Sequence, residues 1–142
     1  DSLEIMSAPK NGNASHRSLM KTEDIAKRLV ALCREQKWEI AQKELFAADA
    51  VSVEPFAMPG HEPETKGLPA IVEKGHKFAA STQVHALKVS DPLVADATFA
   101  CTMWMDCTMQ GQGRMQMSEM CVYEVKDGKI TAERFFFGGG GS

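Results

Sequence analysis

The spacing of apolar positions changes once along the chain. In the first half they recur at three- and four-residue intervals: Ile25, Leu29, Leu32 and Cys33 form one stripe, and Trp38, Ala41 and Leu45 a second. This is the spacing of helices buried along one side. Thr22 precedes the first stripe as a candidate cap, with Glu23 and Asp24 in the first turn, where negative charge suits the positive end of the helix dipole. Val51 and Val53 alternate with Ser52 and Glu54 as a short strand that Pro55 ends, since proline cannot donate to a ladder. Met58 to Lys66, containing Pro59, Gly60 and Pro63, reads as a loop. Leu68, Ile71, Val72 and Gly75, with Pro69 in the first turn, predict a third helix running to about Ala80.

From Gln83 onward the period is two. It predicts strands at Val84 to Val89, Leu93 to Ala95, Thr98 to Met109, Arg114 to Lys126 and Ile130 to Phe137. Gly111 and Gly113 mark one hairpin turn, and Asp127-Gly128 is the strongest hairpin signal in the chain. Three helices followed by a meander is an α+β pattern, with the helices packed on one face of a curved antiparallel or mixed sheet.

Composition narrows the classes. The 142 residues suffice for one domain, and a hydrophobic fraction of 44%, a charged fraction of 25% and a mean hydropathy of -0.24 are those of a globular chain. No apolar run approaches the roughly twenty residues of a transmembrane helix. A net charge of -3 with scattered lysines and arginines offers no basic stripe for phosphates, so neither nucleic acid nor an anionic membrane is an expected partner. Cys33, Cys101, Cys107 and Cys121 lie in apolar stretches without a CxxC, as small buried hydrophobes in a reducing, cytoplasmic setting. Residues 1–19 read as a flexible extension with no signal-peptide pattern, Met20 as a candidate start, residues 20–137 as the domain, and 138–142 as a flexible linker-like tail.

The segments KRLVALCREQKWEIAQKELFAADAVSVEP, KGLPAIVEKG and VYEVKDGKITAERFFF, in this order, resemble the nuclear-transport-factor-2-like superfamily and, within it, the SnoaL-like branch that includes polyketide cyclases. The likeness spans about Lys21 to Phe137. It implies a cone-shaped fold, a deep pocket between the helices and the concave sheet, and often a dimer through the sheet's other face. It specifies fold better than chemistry, because this scaffold carries cyclases, isomerases, dehydratases and plain binding modules.

Parity within the long strands selects candidate residues. Phe99, Cys101, Met103, Met105 and Cys107 share one face of their strand; Met115, Met117, Glu119, Cys121, Tyr123 and Val125 share one face of the next. Glu119 alone interrupts that apolar row. A carboxylate there loses hydration, which raises its pKa towards that of a general acid or base; the alternative is a Glu at the cone's mouth or in a structural hydrogen bond. His85 aligns with Leu87 and Val89 and is expected either to share a proton with Glu119 or to be a satisfied core histidine. Glu54 in VSVEP is similar to the segment that carries the general base of ketosteroid isomerases, although that family has an Asp before the proline, preceded by a Glu; the alternative is a surface or loop-anchoring Glu. Leu29 falls where those isomerases keep an oxyanion-binding Tyr, which argues against steroid isomerisation. Asp106, beside Trp104, is expected as a partly exposed pairing residue. Trp38, Phe78, Met103, Met117, Tyr123 and Phe135 are the candidate pocket walls. No HxH or HExxH spacing suggests a metal.

Two functions stand open. One is a small enzyme without metal or organic cofactor, of cyclase, isomerase or dehydratase type, in which a carboxylate moves a proton on a small hydrophobic molecule. The other is a non-catalytic ligand-binding or dimerisation module. A homodimer is expected in both.

Overall fold

A computed structural model describes residues 20–57 and 62–138. The readings made for residues 1–19, for 58–61 of the expected loop and for 139–142 of the tail lie outside the described residues. The elements in chain order are α1 (Thr22–Arg34), α2 (Trp38–Leu45), β1 (Phe46–Val53), β2 (Glu64–Lys66), α3 (Leu68–Ser81), β3 (Thr82–Val89), β4 (Leu93–Ala95), β5 (Thr98–Met109), β6 (Gly113–Lys126) and β7 (Lys129–Phe136). The seven strands form one mixed sheet in the order β2-β1-β7-β6-β5-β3, with β4 also on β5. All pairings are antiparallel except that of β1 with β7.

Several local readings change. Lys21 is the N-cap of α1 and Thr22 the first helical residue, so the expected Thr22 cap does not form. Helix α2 passes directly into β1, which begins at Phe46, five residues before the predicted alternation. The far end of the predicted loop, Glu64–Lys66, pairs with Val51–Val53 as a short edge strand. The Asp127-Gly128 turn has positive φ at both residues, 52° and 76°, the geometry that lets a two-residue turn follow the sheet's own twist.

The core lies between the helices and one face of the sheet. Ile25, Leu29 and Leu32 of α1 and Ile71 of α3 are buried with Phe99, Cys101, Cys121, Tyr123 and Ile130 of the strands. Phe99 and Tyr123, directly opposed in the β5–β6 ladder, stack with ring centroids 4.7 Å apart. No described helix is long and apolar enough to cross a membrane.

Candidate functional site

The helix-covered face carries a polar cluster built from four elements. Alternation along β1 puts Ser52 and Glu54 on one side and Val51 and Val53 on the other. Ser52 is fully buried while Val51 and Val53 are partly exposed, so this strand turns its polar side inward. Lys74 reaches the same spot from α3, whose apolar stripe through Ile71 and Val72 sits on the sheet. Its Nζ donates to Ser52 Oγ at 2.9 Å and to Glu54 Oε2 at 3.1 Å, and lies 5.9 Å from the centre of the Phe135 ring.

Glu133 of β7 stands opposite Ser52 in the parallel ladder and opposite Tyr123 in the antiparallel one. At 6% exposure it is buried, as are the polar residues Ser52 and Asp106. Burial pushes its carboxyl up to about 7, and the Glu54 charge adds to that rise; the Ser52 hydrogen bond and the Lys74 charge oppose it. Glu119 of β6, opposite Met103, shares its face with Cys121 and Tyr123. Its carboxyl is also pushed up to about 7, first by burial and then by the charges of Glu54 and Glu133, against a Cys121 hydrogen bond and Lys74. The Glu54 charge thus raises the cost of ionising both Glu119 and Glu133, and the Glu133 charge adds to that of Glu119, as expected where like charges share a poorly solvated space.

Thiols line the next part of this face. Cys101 and Cys121 are directly opposed and hydrogen-bonded, which holds Cys101 below the usual thiol value and drives Cys121 up. Burial pushes Cys33, on α1, up to about 12. All four cysteines are buried and free. Among the described residues no group of three His, Cys, Asp or Glu side chains is placed to hold a metal ion.

Of the residues singled out from sequence, Glu119 and Glu54 meet in this cluster, with Met103, Phe135 and Tyr123 around them. Met117 is half-buried one step further along β6, opposite Met105. Trp38 packs against the core from α2, and Phe78 is half-buried on α3. His85 does not join the cluster. A β-bulge between Val84 and Ala86 breaks the alternation of β3, and the exposed His85 instead places Nε2 2.7 Å from Thr108 Oγ1. Asp106 is more buried than expected, at 7% exposure, because Arg114 covers it through two hydrogen bonds of 3.1 and 2.9 Å. That ion pair holds its carboxyl below the usual range.

Ser52, Lys74 and Glu133 were not among the sequence candidates. Two carried a signal: Lys74 is three residues after Ile71 on the core side of its helix, and Glu133 shares parity with Phe135. Ser52 was signalled only by its alternation with Val51 and Val53, which does not say which side is inside.

On the sheet's other face, Lys88 Nζ lies 5.4 Å from the Trp104 ring centre, beside a cleft of about 320 Å³ that Ser90, Thr102 and Ser118 also line.

Comparison with known proteins places this geometry. The SnoaL-like domain family matches residues 20–137. A crystal structure of a protein provisionally described as a SnoaL-like polyketide cyclase, from Mesorhizobium loti, is 33% identical, covering 83% of this chain and all of that one, with a TM-score of 0.77. A nuclear-transport-factor-2-like protein of unknown function from Burkholderia pseudomallei (10% identity, 84% and 92% of the two chains, TM-score 0.67) shares the fold. So does a protein of ketosteroid-isomerase-like fold from Catenulispora acidiphila, solved with trimethylamine (16% identity, 80% and 85%, TM-score 0.63). No curated protein matches the chain. The matched segment runs through all three helices and all seven strands, and the chain belongs to the SnoaL-like family of the nuclear-transport-factor-2-like fold.

Proposed function

We propose that the protein is a cofactor-independent acid/base enzyme that binds a small, mainly apolar organic molecule in a pocket on the helix-covered face and moves a proton on it. The observation that carries this reading is a pair of carboxyl groups on one face of the sheet, Glu119 and Glu133, close enough for the charge of the second to act on the first, and both with pKa values of about 7. A group that titrates near the working pH is present in both protonation states and can take up and return a proton at comparable cost. Glu119, half-buried beside Met103 and Met117, is the group that meets the substrate. Glu133, opposite Ser52 in the ladder, keeps Glu119 basic by its charge. Glu54, held by Lys74, acts on Glu119 in the same way. Phe135, Met103 and Met117 supply apolar, adaptable walls.

The reaction class that fits is proton abstraction next to a carbonyl, followed by return of the proton or ring closure; the relative from Mesorhizobium loti is provisionally described as a SnoaL-like polyketide cyclase. The test is exchange of α-protons for deuterium in a panel of neutral cyclic ketones and β-keto esters, followed by NMR at neutral pH. The intact protein should accelerate exchange in at least one class, with Glu119→Gln reducing it by about 10²-fold or more. Exchange no faster than in buffer across the panel would leave a binding module instead.

A further inference from the structure

We propose that Lys74 is a catalytic residue of this site, whose ammonium receives the oxyanion that forms on a neutral, enolisable carbonyl substrate. This rests on the reading of Glu119 as the proton-transfer group. An ammonium has three N–H donors, and among the described residues Lys74 has two hydrogen-bond acceptors, Ser52 Oγ and Glu54 Oε2. Those two contacts and the Phe135 ring fix the position of Nζ, and the side chain is only 25% exposed. One N–H thus remains beyond these two acceptors on an ammonium held in a poorly solvated position, the arrangement in which a preformed donor stabilises a developing charge most strongly.

The step balances without any co-reactant. The substrate's α-carbon–hydrogen bond breaks and the proton passes to the Glu119 carboxylate. The electron pair moves through the carbon–carbon bond onto the carbonyl oxygen, which becomes an enolate beside Lys74 Nζ. Return of the proton from Glu119, to the same or a conjugated carbon, restores a neutral product. Lys74 keeps its own proton throughout and supplies charge.

The same inventory selects the substrate. Glu54 already offsets the charge of Lys74, and Glu119 and Glu133 add negative charge as they ionise, so a molecule carrying its own carboxylate is disfavoured, whereas a neutral ketone or ester develops charge only at the oxygen facing the lysine. Ser52 is a positioning residue. It joins Lys74 to Glu133 and so sets where the ammonium points.

The probe is 4-nitrophenol, a neutral enol mimic whose ionised form absorbs at a distinct wavelength. Bound to the intact protein it should be ionised to a greater extent than in buffer of the same pH. The gain should be lost in Lys74→Met and largely kept in Lys74→Arg and in Glu119→Gln, each checked for folding by circular dichroism. α-Proton exchange should fall by about 10²- to 10³-fold in Lys74→Met. If Lys74→Met does not fold, Lys74→Gln replaces it, keeping a hydrogen-bond donor and losing the charge. Equal ionisation in the wild type and the uncharged variant, or no bound phenol in the wild type, overturns the role of Lys74 while Glu119-dependent exchange can still stand. An ionised bound phenol without any exchange overturns the catalytic reading altogether.

Discussion

Glu133 sits directly opposite Ser52 in the parallel β1–β7 ladder, and this pairing places a carboxyl group almost wholly out of water with a hydroxyl as its partner. The folded protein therefore holds the Glu133 proton more tightly than the unfolded chain does, about 7 against an ordinary 4.5. An acid with a raised folded pKa favours folding most when protonated. Its contribution is complete below about pH 4.5, declines as pH rises, and is gone above about pH 7. The shift corresponds to at most about 3 kcal/mol. Glu133→Gln should match the wild type in stability near pH 4.5 and exceed it by about 1–3 kcal/mol at pH 8, in urea unfolding across that range. A difference independent of pH would contradict the burial of this carboxyl.

Removing the hydroxyl should act in the opposite sense. Ser52→Ala takes one acceptor from Lys74 and the partner from Glu133 while leaving the backbone ladder intact. A cost of about 1–3 kcal/mol at neutral pH is expected, the usual consequence of leaving buried polar groups unmatched. The Glu133 carboxyl should titrate still higher, because the bond that held it down is lost. Carbon-13 titration of the Glu side chains reads both Glu119 and Glu133; an unchanged Glu133 in Ser52→Ala would show that the hydroxyl does not bond it.

The four thiols should differ in reactivity. Cys33, Cys107 and Cys121 are held above the usual value, Cys101 below it. Since the thiolate is the reactive form, iodoacetamide at pH 8 should label Cys101 first, and all four slowly because each is buried. Peptide mapping by mass spectrometry gives the order. Fast labelling of Cys33 or Cys121 in the native protein would mean that the inner face is open to water.

On the opposite face, Met120 and Phe136 are neighbours across the β6–β7 ladder and are 43% and 53% exposed. Trp104 lies on the same side of β5, and such an apolar group is better covered. Sedimentation should give a homodimer, with Phe136→Glu shifting it to monomer and leaving the fold intact. A wild-type monomer at micromolar concentration would remove this interface.

Local pattern made much of the fold legible. Thr98 to Met109 coincides with β5 as predicted, because a long alternating strand bounded by turn residues has few other solutions. Glu119 was legible as a break in an apolar row. The misplacement of His85 has a definite cause: one extra residue in β3 inverts the parity of everything counted across it, and no feature of QVHALKV announces a bulge. Glu54 stood out only through family resemblance. The partnership of Ser52 with Glu133 was not legible, since it depends on a parallel pairing between distant strands that neither segment specifies alone. Lys74 shared this difficulty, its meaning resting on which side of β1 faces it.

The parallel contact of β1 with β7 also orders events in time. The hairpins β5–β6 and β6–β7 join segments adjacent in the chain, whereas β1 must wait for β7, because Phe46 pairs with Ile130 and Val53 with Arg134. Closing so wide a span costs more entropy than closing a hairpin, which favours forming it after the local contacts. Until β1 docks, Glu133 lacks the neighbouring strand that pairs with it and Glu119 lacks the Glu54 charge, so neither acid has its full native surroundings. Docking of β1 on β7 completes the sheet and, in the same act, brings Ser52 and Glu54 to these carboxyl groups.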